Sequence, residues 1–130
     1  VLYWSIRLGG QAVLGGTEEA LKAATKLLPA LAQGAQPVTI RLPLHSAFHT
    51  PLMKTTSQRA VEDLHDLGWK SPNVTMIDGS GAVWPAKYSS GDSIRKYTLT
   101  RQVTDTFDLT ACIRRPTPMC KSDRAAVVRR

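Results

Sequence analysis

The chain has 130 residues, 42% of them apolar and 21% charged, a composition that fits one globular domain with a modest core and leaves no room for a second. No apolar run is long enough to span a bilayer, and no basic segment leads into an apolar one, so the reading is a cytoplasmic protein without a membrane partner. The net charge of +7 raises nucleic acid as a partner, but its location argues against it. From Arg114 onward six basic residues face one acid, Asp123, for a net +5, which leaves +2 for everything before. No aromatic residue is interleaved with these arginines to stack on bases, and a basic tail on a near-neutral body is more often a solvated end than a phosphate footprint. Cys112 and Cys120, eight residues apart, form neither a disulfide framework nor a zinc knuckle. Cys112 is expected semi-buried and Cys120 free in the tail.

Residues 1–8 are rich in aromatic and β-branched side chains and read as extended. Gly9-Gly10 breaks the run, Gln11 to Leu14 resumes it, and Gly15-Gly16 ends it. These glycines have neither the Gly-x-Gly-x-x-Gly spacing nor a Walker lysine, so they are not a phosphate loop. Thr17 is placed to cap a helix, with Glu18 and Glu19 in its first turn, where acids favour the helix dipole. Leu21, Ala24, Leu28 and Leu31 give that helix one inward face, and Pro29 is expected to end it near Leu28 or kink it. Gln33 to Pro37 reads as a loop. Val38, Ile40, Leu42 and Leu44 alternate with polar residues and predict a strand over 38–44, at an edge because Pro43 cannot donate to a ladder.

Thr50-Pro51 then makes an N-cap and first-turn pair. Met53, Ala60, Val61, Leu64 and Leu67 form a stripe that predicts a helix to about Leu67, stopped by Gly68. Asn73 to Ile77 reads as a short buried strand, Asp78 to Gly81 as a turn, and Val83 to Pro85 as a brief extended piece. Asp92 is expected to cap a helix to roughly Val103, and Asp108 a short helix within Phe107 to Ile113. Beyond Arg114 periodicity ceases, and residues 115–130 are expected to be a disordered or loosely attached basic tail.

Chemistry concentrates in Arg41 to Met53, where an apolar run ends in His45 and His49 just before a helix start. The words Ala-Phe-His-Thr-Pro-Leu-Met, at Ala47 to Met53, resemble the histidine segment of the malonyl-CoA:acyl carrier protein transacylases and of polyketide synthase acyltransferase domains. Gln11 to Gly16 looks like that family's Gln-x-Val-x-x-Gly strand, without its Asn-Ser-Pro lead-in, and Arg101-Gln102 looks like an Arg-Gln pair on one of its helices. The resemblance covers about Tyr3 to Arg114, the C-terminal part of a much longer enzyme. The Gly-Pro-Gly turn that relatives carry after this point is missing, so the chain is expected to be a truncated or frame-altered product.

The resemblance implies an α/β (α+β) fold: residues 1–44 as the strand-helix-strand (β-α-β) half of a ferredoxin-like small subdomain, joined to residues 45–114 as part of an α/β-hydrolase-like acyltransferase core. It implies that His49 is the general base for a serine nucleophile. Histidine, with an ordinary pKa of about 6.5, takes and returns a proton at cellular pH. It implies that Phe48 sits beside the acyl group and selects malonyl, since a ring there leaves no space for a branch. Malonyl-CoA and acyl carrier protein would be the partners, in fatty acid or polyketide synthesis, with the coenzyme A thioester a substrate and no resident cofactor. A Gly-x-Ser-x-Gly elbow occurs nowhere in the chain, and Gly79-Ser80-Gly81 is a plain turn. The isolated chain is therefore expected to be inactive, needing a missing N-terminal half or associating with itself. His45, His49 and His65 do not have metal-ligand spacing. The alternative reading is a non-catalytic protein-interaction domain, with nucleic-acid binding through the basic tail a weaker third.

Overall fold

The first two strands form because aromatic and β-branched residues flank a glycine pair that can reverse the chain. A computed structural model describes residues 1–31, 39–43 and 45–114. In it β1 (Leu2–Arg7) pairs antiparallel with β2 (Ala12–Gly16). The Leu8 N–H donates to the Gln11 carbonyl at 2.8 Å, and Gly9 takes φ +79°, the positive value that the first position of a two-residue hairpin turn needs. A bulge between Trp4 and Ile6 swings Ser5 inward, where it is 4% exposed and donates to the Phe48 carbonyl at 2.6 Å. That one extra residue ties the hairpin to the segment carrying His49. The same segment lies so close to β2 that a Cβ on Gly15 would sit 3.0 Å from Thr50 Cγ2 and 3.2 Å from the Ala47 Cβ.

Helix α1 (Glu18–Leu31) follows Thr17, whose Oγ1 accepts from the Ala20 N–H at 3.4 Å. Leu21, Ala24 and Leu28 are half-buried, while Leu27 stays 65% exposed. A 3-10 turn over Pro51–Met53 runs directly into α2 (Lys54–Asp63). Next come the two-residue strands β3 (Met76–Ile77) and β4 (Val83–Trp84), paired antiparallel. Helices α3 (Gly91–Leu99) and α4 (Arg101–Thr104), strand β5 (Phe107–Asp108) and helix α5 (Leu109–Arg114) complete the chain. β5 joins β1 in parallel, Ile6 opposite Phe107, and gives a three-stranded sheet of order β2-β1-β5. The result is a mixed α+β domain whose sheet crosses the division drawn at residue 44.

The buried core of the described residues is small and lies between α2 and α3. Met53 and Leu99 are its buried apolar side chains, and Ser57, 5% exposed, donates to the Leu99 carbonyl at 2.6 Å across the two helices. A second anchor is polar. Asp78, 8% exposed, accepts from the Ser80 N–H, Ser80 Oγ and Ala82 N–H through Oδ1, and from Trp84 Nε1 through Oδ2, all within 2.9 Å. Among the described residues no helix is long and apolar enough to cross a membrane.

Several sequence expectations need correction. Residues 39–43 are not a strand, and Ile40 and Leu42 are 83% and 50% exposed, since no neighbouring strand offers them a ladder. α1 does not stop at Leu28; it continues to Leu31. α2 ends at Asp63 instead of Leu67, and Leu64 and Leu67 remain 40% and 54% exposed. Thr50-Pro51 does open the helical segment, with Thr50 at the N-cap position and Pro51 starting the 3-10 turn. Thr50 makes no side-chain cap bond, however: it is fully buried and its Oγ1 donates backward to the Ala47 carbonyl at 2.6 Å. The expected strand over 73–77 shrinks to Met76–Ile77, with Val74 67% exposed. The helix expected over 92–103 is capped by Ser90, which accepts from the Ser93 N–H, and it breaks at Thr100. Asp108 does cap α5, accepting from the Ala111 N–H at 2.9 Å, and Cys112 is half-buried as expected. Val38, Leu44, the loop at 33–37 and the tail with Cys120 lie outside the described residues.

Candidate functional site around His49

His49 is placed by its backbone before its ring does anything. Its N–H donates to the Val103 carbonyl at 2.9 Å, and its φ of +59° puts it in the left-handed region. Histidine visits that region more readily than most residues, at a cost of about 1–3 kcal/mol that the surroundings must hold in place. Lys87 shares the conformation in an ordinary turn, so a positive φ does not by itself mark a site. What distinguishes His49 is the ring. Nδ1 lies 2.6 Å from the Gln102 carbonyl, and the imidazole packs against Phe107 with centroids 5.8 Å apart.

A carbonyl oxygen only accepts, so the proton of that hydrogen bond belongs to Nδ1. The neutral ring then carries its lone pair on Nε2, which has no partner among the described residues. This is the tautomer a general base needs, selected by a backbone atom instead of a carboxylate.

His49 lines a shallow cleft with Gly79, Ser80, Tyr97, Arg101 and Phe107. Its free volume is about 10 Å³, near the minimum for one water molecule. A whole thioester does not fit inside; one of its atoms does. Asp105 borders both this cleft and a wider, open groove of about 390 Å³ beside Lys54, Gln58 and Thr104. Arg101 uses its Nε–H on Asp105 at 3.1 Å. Tyr97 is part of the lining, its oxygen accepting from the Gly79 N–H at 2.9 Å and its ring tilted on Trp84 at 5.6 Å. Burial, with the charge of Asp78 adding to it, pushes the Tyr97 hydroxyl above its ordinary pKa.

The other residues singled out from the sequence lie elsewhere. Phe48 is 46% exposed and does not line the cleft; the ring against His49 is Phe107. His45 is exposed. His65 is engaged at the end of α2, with Nδ1 2.7 Å from the Glu62 carbonyl and Nε2 3.1 Å from Asp66. Among the described residues no group of three His, Cys, Asp or Glu side chains is placed to hold a metal ion. Sequence patterns gave no warning of Tyr97 or of the Gln102 carbonyl. The latter acts through a main-chain atom, which leaves no side-chain signature.

The fold and cleft together define an α+β chain that presents one oriented imidazole beside a tyrosine hydroxyl. Compared with known proteins, the chain matches no family model, no curated protein and no solved structure.

Proposed function

We propose that the chain is a malonyl-CoA:acyl carrier protein transacylase-like unit in which His49 is the general base for a serine supplied by another polypeptide segment. The observation that carries this reading is the 2.6 Å contact between His49 Nδ1 and the Gln102 carbonyl, which leaves Nε2 as the basic nitrogen. In the proposed reaction Nε2 takes the serine proton as Oγ attacks the thioester carbonyl. The imidazolium then returns that proton to the departing coenzyme A thiolate. In the second half the same nitrogen deprotonates the phosphopantetheine thiol of the carrier protein, which attacks the acyl-serine carbonyl, and the imidazolium returns the proton to the departing serine Oγ. Phe48, half exposed beside His49 in sequence, would border an acyl group arriving from the solvent side and favour unbranched malonyl. In this reading β1, β2 and α1 belong to a ferredoxin-like subdomain and the rest to the hydrolase-like core. The non-strand conformation of 39–43 removes one element from that correspondence.

A second reading, a protein-interaction domain without catalysis, is favoured by one observation: Leu2, Trp4 and Leu8 of the first hairpin are 40–49% exposed. One experiment separates the two. The chain is mixed with malonyl-CoA and acyl carrier protein, with and without a serine-bearing N-terminal segment of a malonyl transacylase. The expected result is no malonyl transfer by the chain alone, transfer in the reconstituted mixture, and loss of at least about a hundredfold in His49→Ala, the scale of general-base catalysis. A malonylated serine on the isolated chain, seen by mass spectrometry, would overturn the need for an external nucleophile. If a hydrolysis-resistant malonyl-CoA analogue binds neither the chain nor the mixture, the interaction-domain reading stands instead.

A further inference from the structure

Hydrogen-bond accounting around the cleft leaves one donor unspent. The Tyr97 oxygen accepts from the Gly79 N–H at 2.9 Å, so that lone pair is occupied, but its own O–H has no acceptor among the described residues. The Tyr97 ring packs on Trp84 with centroids 5.6 Å apart, and the Trp84 Nε1–H donates to Asp78 at 2.9 Å. Tyr97 and His49 border the same cleft, whose free volume is about 10 Å³, close to what one water-sized group requires. A residue with an unspent donor and a residue with an oriented base thus line one space of that size. We propose that the Tyr97 hydroxyl is the donor that engages the acyl oxygen of the thioester presented to His49.

The chemistry favours an oxygen acceptor of this kind. A neutral hydroxyl donates to a carbonyl oxygen without the desolvation cost that a charged partner incurs. When a nucleophile adds to that carbonyl, the oxygen gains negative charge and the same hydrogen bond strengthens, as donors aimed at a developing oxyanion do. Burial raises the Tyr97 pKa above its ordinary value, so the proton stays on the phenol at neutral pH. No proton is transferred from Tyr97 in this role; it donates a hydrogen bond and keeps its hydrogen.

This inference rests on the acyl-transfer reading, and the experiment separates the two. The full chain, ¹³C-labelled at histidine Cε1 and tyrosine Cζ, is titrated with a hydrolysis-resistant malonyl-CoA analogue that retains the acyl carbonyl. The expected result is that the His49 and Tyr97 resonances move together along one binding curve, and that Tyr97→Phe weakens binding about fivefold to tenfold, as loss of one hydrogen bond does. If His49 moves and Tyr97 does not, or if Tyr97→Phe binds as wild type, the assignment of Tyr97 falls while the role of His49 survives. If neither resonance moves, in the chain alone or with the serine-bearing segment added, both readings fall. Tyr97→Phe keeps the ring on Trp84, and an unchanged tryptophan near-ultraviolet dichroism shows that the cleft wall is intact. A Tyr88→Phe variant, which removes a hydroxyl from a side chain 91% exposed and outside the cleft, is expected to bind as wild type; a loss as large as that of Tyr97→Phe would show that binding does not depend on the Tyr97 hydroxyl in particular and overturn the proposal.

Discussion

Two antiparallel hairpins lie among the described residues and are held by opposite means. The β1–β2 hairpin is long, with a backbone ladder over most of its length, yet Leu2 and Trp4 on its strands and Leu8 at its turn point into solvent. The β3–β4 hairpin has two residues per strand, too few to persist on ladder bonds alone, and it is held by a carboxylate. Four donors converge on Asp78, while its main chain closes the turn, Asp78 N–H to the Ala82 carbonyl and Gly81 N–H to the Asp78 carbonyl. β3–β4 also supports the candidate site, since Gly79 fixes Tyr97 and the Gly79 carbonyl accepts from the Asp108 N–H at 2.7 Å. Stability that matters to the cleft is thus concentrated in one polar side chain, and apolar surface that matters little to it is spread over the other hairpin.

The sharpest way to break that contrast is Asp78→Ala. It leaves four donors without their acceptor in a site 8% exposed, and about 3 kcal/mol of unfolding free energy should be lost in urea titrations, the scale for a buried hydrogen-bonded charge. The pH dependence follows from the same residue. Burial pushes the Asp78 carboxyl up, but the hydrogen bonds from Ser80, Trp84 and Ala82 outweigh it and hold the group below its ordinary value. A carboxylate with a depressed folded pKa contributes stability that is complete above the unfolded pKa of about 3.9 and is lost as pH falls through the lower folded value. Wild type should therefore lose stability below about pH 4, and Asp78→Asn should show a flatter acid limb. Equal acid limbs would mean that Asp78 does not hold the turn through its charge.

A smaller effect is expected where the helices meet. Ser57→Ala removes the 2.6 Å hydrogen bond to the Leu99 carbonyl, and about 1 kcal/mol should go with it. The urea midpoint should fall with the slope unchanged, because the contact is local and the surface exposed on unfolding is the same. A wild-type midpoint would show that the carbonyl finds another donor once the serine is gone.

Sequence made some of this architecture readable and hid the rest for identifiable reasons. The extended runs on either side of Gly9-Gly10 were legible from their composition, but their folding back on each other, where the strand-helix-strand reading counts a single strand, was not. The Asp78 turn was legible because Asp-Gly-Ser-Gly can close on itself. Residues 38–44 show why alternation is not enough. Ile40 and Leu42 have the right period, but period two names a face and not a partner, and here both side chains are exposed. Leu64 and Leu67 repeat the lesson at helical spacing: they continue the stripe of α2 beyond the point where anything packs against it. His49 itself could be picked out, but what orients it lies 53 positions later on a main-chain oxygen, and no residue pattern announces that.

The smallest stability effect, and the most informative about the first hairpin, is expected from Trp4→Ser. Trp4 is 49% exposed and its ring lies 5.6 Å from the Arg7 guanidinium carbon, an exposed cation–π contact worth about 0.5–1 kcal/mol. Its loss should therefore cost no more than about 1 kcal/mol in folding, far less than Asp78→Ala despite the larger side chain removed. Association should respond in the opposite order. In the proposed self-association the exposed Leu2, Trp4 and Leu8 would form the contact, so Trp4→Ser should shift sedimentation equilibrium toward monomer, while Ser57→Ala should not. A loss of more than about 2 kcal/mol for Trp4→Ser would place the indole in a packed core. An unchanged association state would instead move that contact elsewhere. Either result would separate what folds this hairpin from what it is for.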